Sequence, residues 1–238
     1  MESLMVLVHS PLVGPFTWSL VAKPLQADGF DVLVPVLTDS GETPPPYWQQ
    51  HAVSVQQALV SLPQERPLVL VGHSGAGSLL PVLAQAARHP VTAYLFVDAS
   101  LPHPGKTQLE EMEASVPAFA QELRRLLAEG SRFPNWKDED LREVLPDGRA
   151  RQQLLAEVQP RPLNFFEEVL PDVSGWSDAK GGYLLFTQGY RPSLEQAQRA
   201  GWPSRTIPAG HFHMLVDPVA VAAHLVELMQ QINEKRCC

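Results

Sequence analysis

Residues 69–80 read VLVGHSGAGSLL, a run of β-forming residues, then small residues on both sides of Ser74, then small and aliphatic residues. This order predicts a strand, a sharp turn with the serine at its apex, and a helix. Gly72 and Gly75 lack the Cβ atoms that would clash where the strand doubles back. A serine presented in this way can act as a nucleophile, and the Gly75 N–H at the helix start can stabilise an oxyanion. A glycine-rich structural turn is the alternative, and the flanking strand and helix favour catalysis.

The composition is that of an ordinary globular enzyme. The chain has 238 residues, of which 45% are hydrophobic, and a formal net charge of −8. This length predicts one α/β domain with an insertion, and the acidic balance argues against a nucleic-acid partner. Neither a signal peptide nor a membrane span is evident, so we expect no membrane association and a cytoplasmic location. Cys237 and Cys238 are adjacent and cannot join distant segments, which predicts an untethered tail. The sequence leaves the oligomeric state open.

Six short apolar runs alternate with stretches of helical period, which predicts alternating strands and helices. Near-continuous runs of valine and leucine are typical of parallel strands that are buried on both faces. The predicted fold class is therefore α/β, with a mostly parallel six-stranded sheet flanked by helices. The runs are Met5–Val8, Asp31–Val36, Leu68–Val71, Tyr94–Val97, Tyr183–Phe186 and Ser204–Ile207.

Between residues 101 and 176 the β runs vanish and prolines divide the chain into short amphipathic segments. This predicts an inserted helical lid over 101–176, with 1–100 and 177–238 forming the core. Aromatic side chains of the insertion either line an apolar substrate pocket or pack the lid onto the core. The residues assigned to the pocket are Phe133, Trp136, Phe165 and Phe166, together with His9 at the end of the first strand.

A serine nucleophile needs an imidazole base and a carboxylate that fixes the imidazole tautomer. His211 follows the last strand run and precedes the last helix, so we expect it at the carboxyl edge of the sheet as the base. His213 is the competing base, on the opposite side of a locally extended chain. Asp98 ends the strand after the nucleophile and is the favoured acid, whereas Glu195 is the alternative. The alternative, structural interpretation is that Asp98 caps a helix or a loop.

These motifs resemble the α/β-hydrolase superfamily along essentially the whole chain. The resemblance rests on the turn at residues 72–77, on His9, on Gly210-His211-Phe212 and on the helical insertion after Asp98. The opening stretch, residues 8–18, resembles that of plant methylesterases and hydroxynitrile lyases. The resemblance implies serine catalysis without a metal or an organic cofactor. It also implies that the acid, which usually follows the penultimate strand, has moved here to Asp98.

The first loop departs from the family pattern. The family usually has His-Gly here, and the next residue donates the second N–H of the oxyanion hole. This chain has Ser10 and then Pro11, which has no N–H. Losing one donor costs about 2.7–4 kcal/mol of transition-state stabilisation. Either the Leu12 N–H or the Ser10 hydroxyl replaces this donor beside Gly75, or catalysis is weak.

The sequence thus predicts an esterase. Its expected partner is a small, largely apolar carboxylic ester or lactone, cleaved through a Ser74-His211-Asp98 triad and an acyl-enzyme. Two alternatives stay open. One is a lyase or cyclase that uses the same triad without an acyl-enzyme, and the other is a ligand-binding protein with an idle triad.

Overall fold

A computed structural model of the protein describes residues 3–41 and 43–234, and in this part of the chain six strands form a single sheet. The strands are β1 (Leu4–Val8), β2 (Val32–Leu33), β3 (Leu68–Ser74), β4 (Val91–Ala99), β5 (Gly181–Leu185) and β6 (Ser204–Thr206). They lie in the order β2-β1-β3-β4-β5-β6, and each neighbouring pair is parallel. The predicted α/β class with a six-stranded parallel sheet is confirmed.

The second strand is shorter than predicted. The run Asp31–Val36 contributes only the two residues of β2, which pair with Met5 and Val6 of β1. β2 lies at the edge of the sheet, and Pro35 in the same run has no N–H to donate to a ladder. The apolar pattern therefore marks the strand correctly, but proline ends its pairing early.

Helices connect the strands and cover the sheet. The described residues form α1 (Phe16–Ala27), α2 (Tyr47–Leu59), α3 (Ala76–Ala87), α4 (Gln108–Ser115), α5 (Pro117–Ala128), α6 (Asp138–Leu141), α7 (Gly148–Ala156), α8 (Leu163–Phe166), α9 (Arg191–Arg199), α10 (His213–Val216) and α11 (Pro218–Glu234). Short 3₁₀ helices lie at Trp176–Asp178 and Gln188–Tyr190.

Alternate side chains of the buried strands point to opposite faces of the sheet, where two separate apolar cores form. One core joins Val69 and its neighbours to α1 and α11, and includes the buried Trp18. The other joins Leu70 and its neighbours to α2, α3 and α9, and includes Leu80. Because helices cover both faces, ligands can reach the sheet at the carboxyl ends of the strands.

The segment between β4 and β5 carries α4 to α8, as its amphipathic pattern predicted. Leu109, Leu123 and Phe166 from these helices form a third apolar cluster with Leu12, which follows β1. The cluster thus ties the insertion to the loop after β1. A lid function for residues 101–176 and the domain boundaries stay predictions.

None of the helices in the described ranges is long and apolar enough to cross a membrane. The expected free tail at Cys237 and Cys238 lies outside the described residues.

Candidate active site

Ser74 is the last residue of β3, and the chain turns directly into α3, whose N-cap is Gly75. The serine has a φ of 57°, in the left-handed region that costs a non-glycine residue about 1–3 kcal/mol. A Cβ at Gly72 would lie 3.1 Å from a side chain of α3, and a Cβ at Gly77 would overlap the carbonyl oxygen of Ser100. Only small residues let strand and helix approach so closely, and the backbone strain falls on the residue that carries the hydroxyl.

Asp98 lies at the end of β4 and is completely buried. It also has a positive φ, 42°, where the register between β3 and β4 shifts. Its Oδ1 accepts hydrogen bonds from the backbone N–H groups of Phe186 and Thr187 at 2.9 and 2.8 Å. Its Oδ2 accepts from the Thr187 hydroxyl at 2.8 Å and from His211 Nδ1 at 2.7 Å. Four donors therefore satisfy this buried carboxylate and fix its orientation.

His211 lies in the loop between β6 and α10. Because its Nδ1 carries the proton donated to Asp98, its Nε2 is left as an acceptor in the neutral ring. The His73 ring packs beside it, with ring centroids 4.4 Å apart, and His73 Nε2–H donates to the His211 carbonyl oxygen at 3.0 Å. Burial lowers the pKa of His73 well below its ordinary value. His73 therefore stays neutral and places no positive charge beside His211.

The two alternative residues lie elsewhere. The His213 ring packs edge-on against Phe186 at the start of α10. Glu195 is exposed on α9 and pairs with Arg191 one turn away. Within the described residues, no hydrogen bond joins His213 or Glu195 to Asp98 or His211. The structure therefore pairs His211 with Asp98.

Sequence reasoning missed Tyr190, which contacts both Ser74 and His211. Its hydroxyl oxygen lies 3.1 Å from Ser74 Oγ. Its ring stacks on the His211 imidazole, with centroids 5.3 Å apart and planes 11° apart. Among the described residues, Ser74 makes no hydrogen bond with His211. A signal existed, because Tyr190 lies in the loop after the penultimate strand, where the resemblance places the usual acid.

The loop after β1 brings its polar groups close to Gly75. The Leu12 N–H donates to Ser10 Oγ at 3.3 Å, and a Cβ built on Gly75 would lie 3.7 Å from that same oxygen. Ser10 and Leu12 also line a cavity together with Ser74. Pro11 offers no N–H, but two other possible donors thus lie near the turn.

A buried ionic cluster that the sequence did not predict holds this loop. Arg161, from the insertion, donates two hydrogen bonds to the Pro11 carbonyl oxygen at 3.1 and 3.0 Å. The same guanidinium pairs with both carboxylate oxygens of Asp39 at 2.8 and 2.7 Å, and His51 Nε2–H donates to Asp39 at 2.9 Å. Burial alone would raise the pKa of Asp39, but the bonds from His51 and Arg161 hold it below its usual range. Asp39 lies in the loop after the second strand run, and nothing in its neighbouring residues indicates Arg161 as its partner.

Two cavities, each of about 210 Å³, meet at Ser74 and share Leu12 and Tyr190 on their walls. The first is mainly aromatic, and the structure places Phe133 and Trp136 on its wall. The second contains polar side chains. These are Ser100, Gln108, Glu111 and Ser193.

Three of the residues predicted for the pocket do not line either of these two cavities. His9 is 1% exposed, and its ring donates from Nδ1 to the Ser10 carbonyl oxygen and accepts the Leu37 N–H at Nε2. Phe166 is fully buried in the third apolar cluster. Phe165 packs against Tyr47 and the guanidinium of Arg161, and it lines a separate cavity of about 40 Å³ that also touches Gly75. Packing, the alternative interpretation of the aromatic residues, explains the two phenylalanines.

Over residues 3–41 and 43–234, no group of three or more histidine, cysteine, aspartate or glutamate side chains is arranged to hold a metal ion.

Comparison with known proteins places this geometry in a family. A model of the alpha/beta hydrolase family matches residues 5–224. Methylesterase 1 of Arabidopsis thaliana is 29% identical over 124 residues, which are 48% of this chain and 47% of that protein. The match thus spans about half the length of this relative.

Solved structures give the same fold at lower identity. An extracellular α/β-hydrolase from a Paenibacillus species superposes with a TM-score of 0.73, at 19% identity over 97% of this chain and 99% of that chain. Tomato methylketone synthase I in complex with 2-tridecanone superposes with a TM-score of 0.71, at 16% identity over 98% and 99% of the two chains. The predicted resemblance is confirmed: the protein belongs to the alpha/beta hydrolase family.

Proposed function

We propose that this protein is a serine esterase in which Ser74, His211 and Asp98 form the catalytic triad. The observation that carries the proposal is the 2.7 Å bond from His211 Nδ1–H to the buried Asp98, at a cavity that Ser74 also lines. This bond fixes the imidazole tautomer that can accept a proton at Nε2. The strained turn at Ser74 supports the same role, because strain of this kind clusters at active sites.

The reaction has two halves. In the first, Ser74 Oγ bonds to the ester carbonyl carbon while its proton passes to His211 Nε2, and a tetrahedral oxyanion forms. His211 then returns the proton to the alkoxy oxygen, whose bond to carbon breaks, so that the alcohol leaves and Ser74 stays acylated. In the second half, water attacks the acyl carbon while its proton passes to His211. His211 then returns the proton to Ser74 Oγ as the bond from Oγ to carbon breaks, and the carboxylic acid leaves. Asp98 stabilises the imidazolium in both halves.

The oxyanion is stabilised by the Gly75 N–H at the start of α3 and by the Ser10 hydroxyl. Ser10 Oγ accepts the Leu12 N–H, which leaves the hydroxyl proton of Ser10 available for donation. Leu12 therefore orients Ser10 and polarises it. This arrangement supplies a second donor where Pro11 has none, and the two bonds from Arg161 to the Pro11 carbonyl hold the loop in place.

The substrate is a small and largely apolar ester or lactone. Phe133, Trp136 and Phe212 form an aromatic wall beside Ser74 that suits an apolar arm of the substrate. The two cavities that meet at Ser74 can take the acyl and alkoxy arms on opposite sides of the reacting carbon. Similarity to a plant methylesterase supports a small alkoxy arm.

Labelling with a serine-directed phosphonate tests the proposal. We expect one phosphonyl adduct on Ser74 by peptide mass spectrometry, and we expect the Ser74→Ala variant to form none. Turnover of a p-nitrophenyl ester should fall by about 10⁴ or more in Ser74→Ala, because a triad loses most of its effect when any one of its members is removed. Ser19→Ala, a change on α1, is the matched control and should react like the wild type. Labelling elsewhere, with full turnover in Ser74→Ala, would exclude the proposal.

A lyase-type reaction is the second candidate. It is favoured by the missing N–H of Pro11, because a lyase needs proton transfer but no tetrahedral oxyanion. Mixing the protein with excess p-nitrophenyl ester distinguishes the esterase reaction from the lyase-type reaction. An esterase releases p-nitrophenol and accumulates a Ser74 acyl adduct, whereas a lyase forms no covalent intermediate.

A further inference from the structure

Tyr190 makes the contact that the mechanism above leaves unused. Its hydroxyl is the group that hydrogen-bonds to Ser74 Oγ, at 3.1 Å, in the resting enzyme. Ser74 Oγ is also the atom that attacks the substrate. A side chain that touches this atom influences where the serine proton points and how negative charge develops on the oxygen.

The chemistry of the two hydroxyls decides the direction of this hydrogen bond. A phenol is a far stronger acid than an aliphatic alcohol, and its oxygen is the weaker acceptor. Burial raises the pKa of Tyr190 to about 12, so the phenol keeps its proton throughout the working range of an esterase. The favoured arrangement is therefore Tyr190 O–H donating to Ser74 Oγ.

That direction leaves the proton of Ser74 free to turn towards His211. The Tyr190 ring stacks on the imidazole, at 5.3 Å between centroids and 11° between planes. Asp98 holds the Nδ1 edge of the same ring. Asp98 thus fixes the imidazole in its plane, and the Tyr190 ring fixes it from its face. The Tyr190 hydroxyl also contacts the serine oxygen.

We propose that Tyr190 is a fourth catalytic residue, whose hydroxyl donates a hydrogen bond to Ser74 Oγ and thereby directs the serine proton to His211. The inference rests on the proposed serine chemistry. As the proton leaves, charge develops on Ser74 Oγ and the bond from Tyr190 strengthens, so the hydroxyl favours the transition state over the resting state. Tyr190 lies after the penultimate strand, and the triad carboxylate lies instead at the end of β4.

Replacing Tyr190 by phenylalanine removes only the hydroxyl and keeps the stacked ring. The test measures kcat/KM with a methyl ester and a p-nitrophenyl ester of the same acid, and the rate constant for phosphonate labelling of Ser74. We expect all three to fall by about tenfold to a hundredfold in Tyr190→Phe, the range for losing a hydrogen bond to a charged atom. The three losses should be similar, because attack by Ser74 is common to all three reactions.

Tyr94→Phe is the matched control. Tyr94 is buried on β4 away from Ser74, and burial likewise raises its pKa to about 12. The Tyr94→Phe variant should retain wild-type rates. Both Tyr94→Phe and Tyr190→Phe should unfold near the urea concentration at which the wild type unfolds.

Rates of Tyr190→Phe within twofold of the wild type would overturn the proposal. A loss confined to the methyl ester would also overturn it, because the hydroxyl would then act on the leaving group rather than on Ser74. If the wild type itself formed no phosphonyl adduct on Ser74, the esterase proposal would fail, and the role of Tyr190 with it.

Discussion

Lowering the pH from about 7 to about 5 should destabilise the folded protein through the buried His9. This side chain is 1% exposed, and its neutral ring donates to the Ser10 carbonyl oxygen and accepts the Leu37 N–H. A second proton on the ring would break the bond with Leu37 and bury a charge. Burial accordingly lowers the pKa of His9 from 6.5 to about 4.

The difference between these two pKa values sets the direction and the size of the change in stability. In the unfolded chain His9 takes up a proton below about pH 6.5, whereas in the native protein it does so only near pH 4. Between these values the unfolded state binds more protons, so stability is retained above pH 6.5 and lost as the pH falls. The loss from this one group is about 2 kcal/mol at pH 5 and about 3 kcal/mol at pH 4, relative to pH 7.

Urea unfolding at several pH values measures this loss for the wild type and for His9→Gln. Glutamine can accept the Leu37 N–H but does not titrate in this range. The free energy of unfolding of His9→Gln should therefore decrease by about 2 kcal/mol less than that of the wild type between pH 7 and pH 5. His51 and His73, whose pKa values burial also lowers, are present in both proteins, so only their electrostatic interaction with His9 differs in the comparison. Parallel pH profiles for the two proteins would refute the reasoning.

Two further predictions concern the site and its supporting loop. Asp98→Asn should reduce kcat by about 10⁴ with the fold intact, because an amide favours the wrong tautomer of His211; a steady-state assay giving wild-type kcat would contradict the assignment. Arg161→Met should reduce the free energy of unfolding by about 3–5 kcal/mol, because it leaves the carboxylate of Asp39 buried without its cation; in urea unfolding, a loss below about 1 kcal/mol would contradict this.

The sequence predicted the turn at Ser74 and most of the sheet because those features depend on neighbours along the chain. Small residues at 72, 75 and 77 are needed wherever a strand folds back into a helix so tightly. Apolar runs similarly mark the strands. β2 is much shorter than its apolar run, and Pro35 in that run explains the difference. An aromatic pattern, in contrast, does not distinguish Phe133 on a cavity wall from Phe166 in a core.

Tertiary structure alone decided which polar groups meet. The sequence put His211 and Asp98 at the same edge of the sheet, but 113 positions separate them, and only packing shows a 2.7 Å hydrogen bond. Tyr190 reaches Ser74 across 116 positions, and Arg161 reaches Pro11 across 150. Backbone conformation and apolar periodicity are set within a few residues, whereas the partner of a buried polar group depends on how whole elements pack. The sequence therefore determined the sheet and the serine at its edge, and the packed chain determined what surrounds that serine.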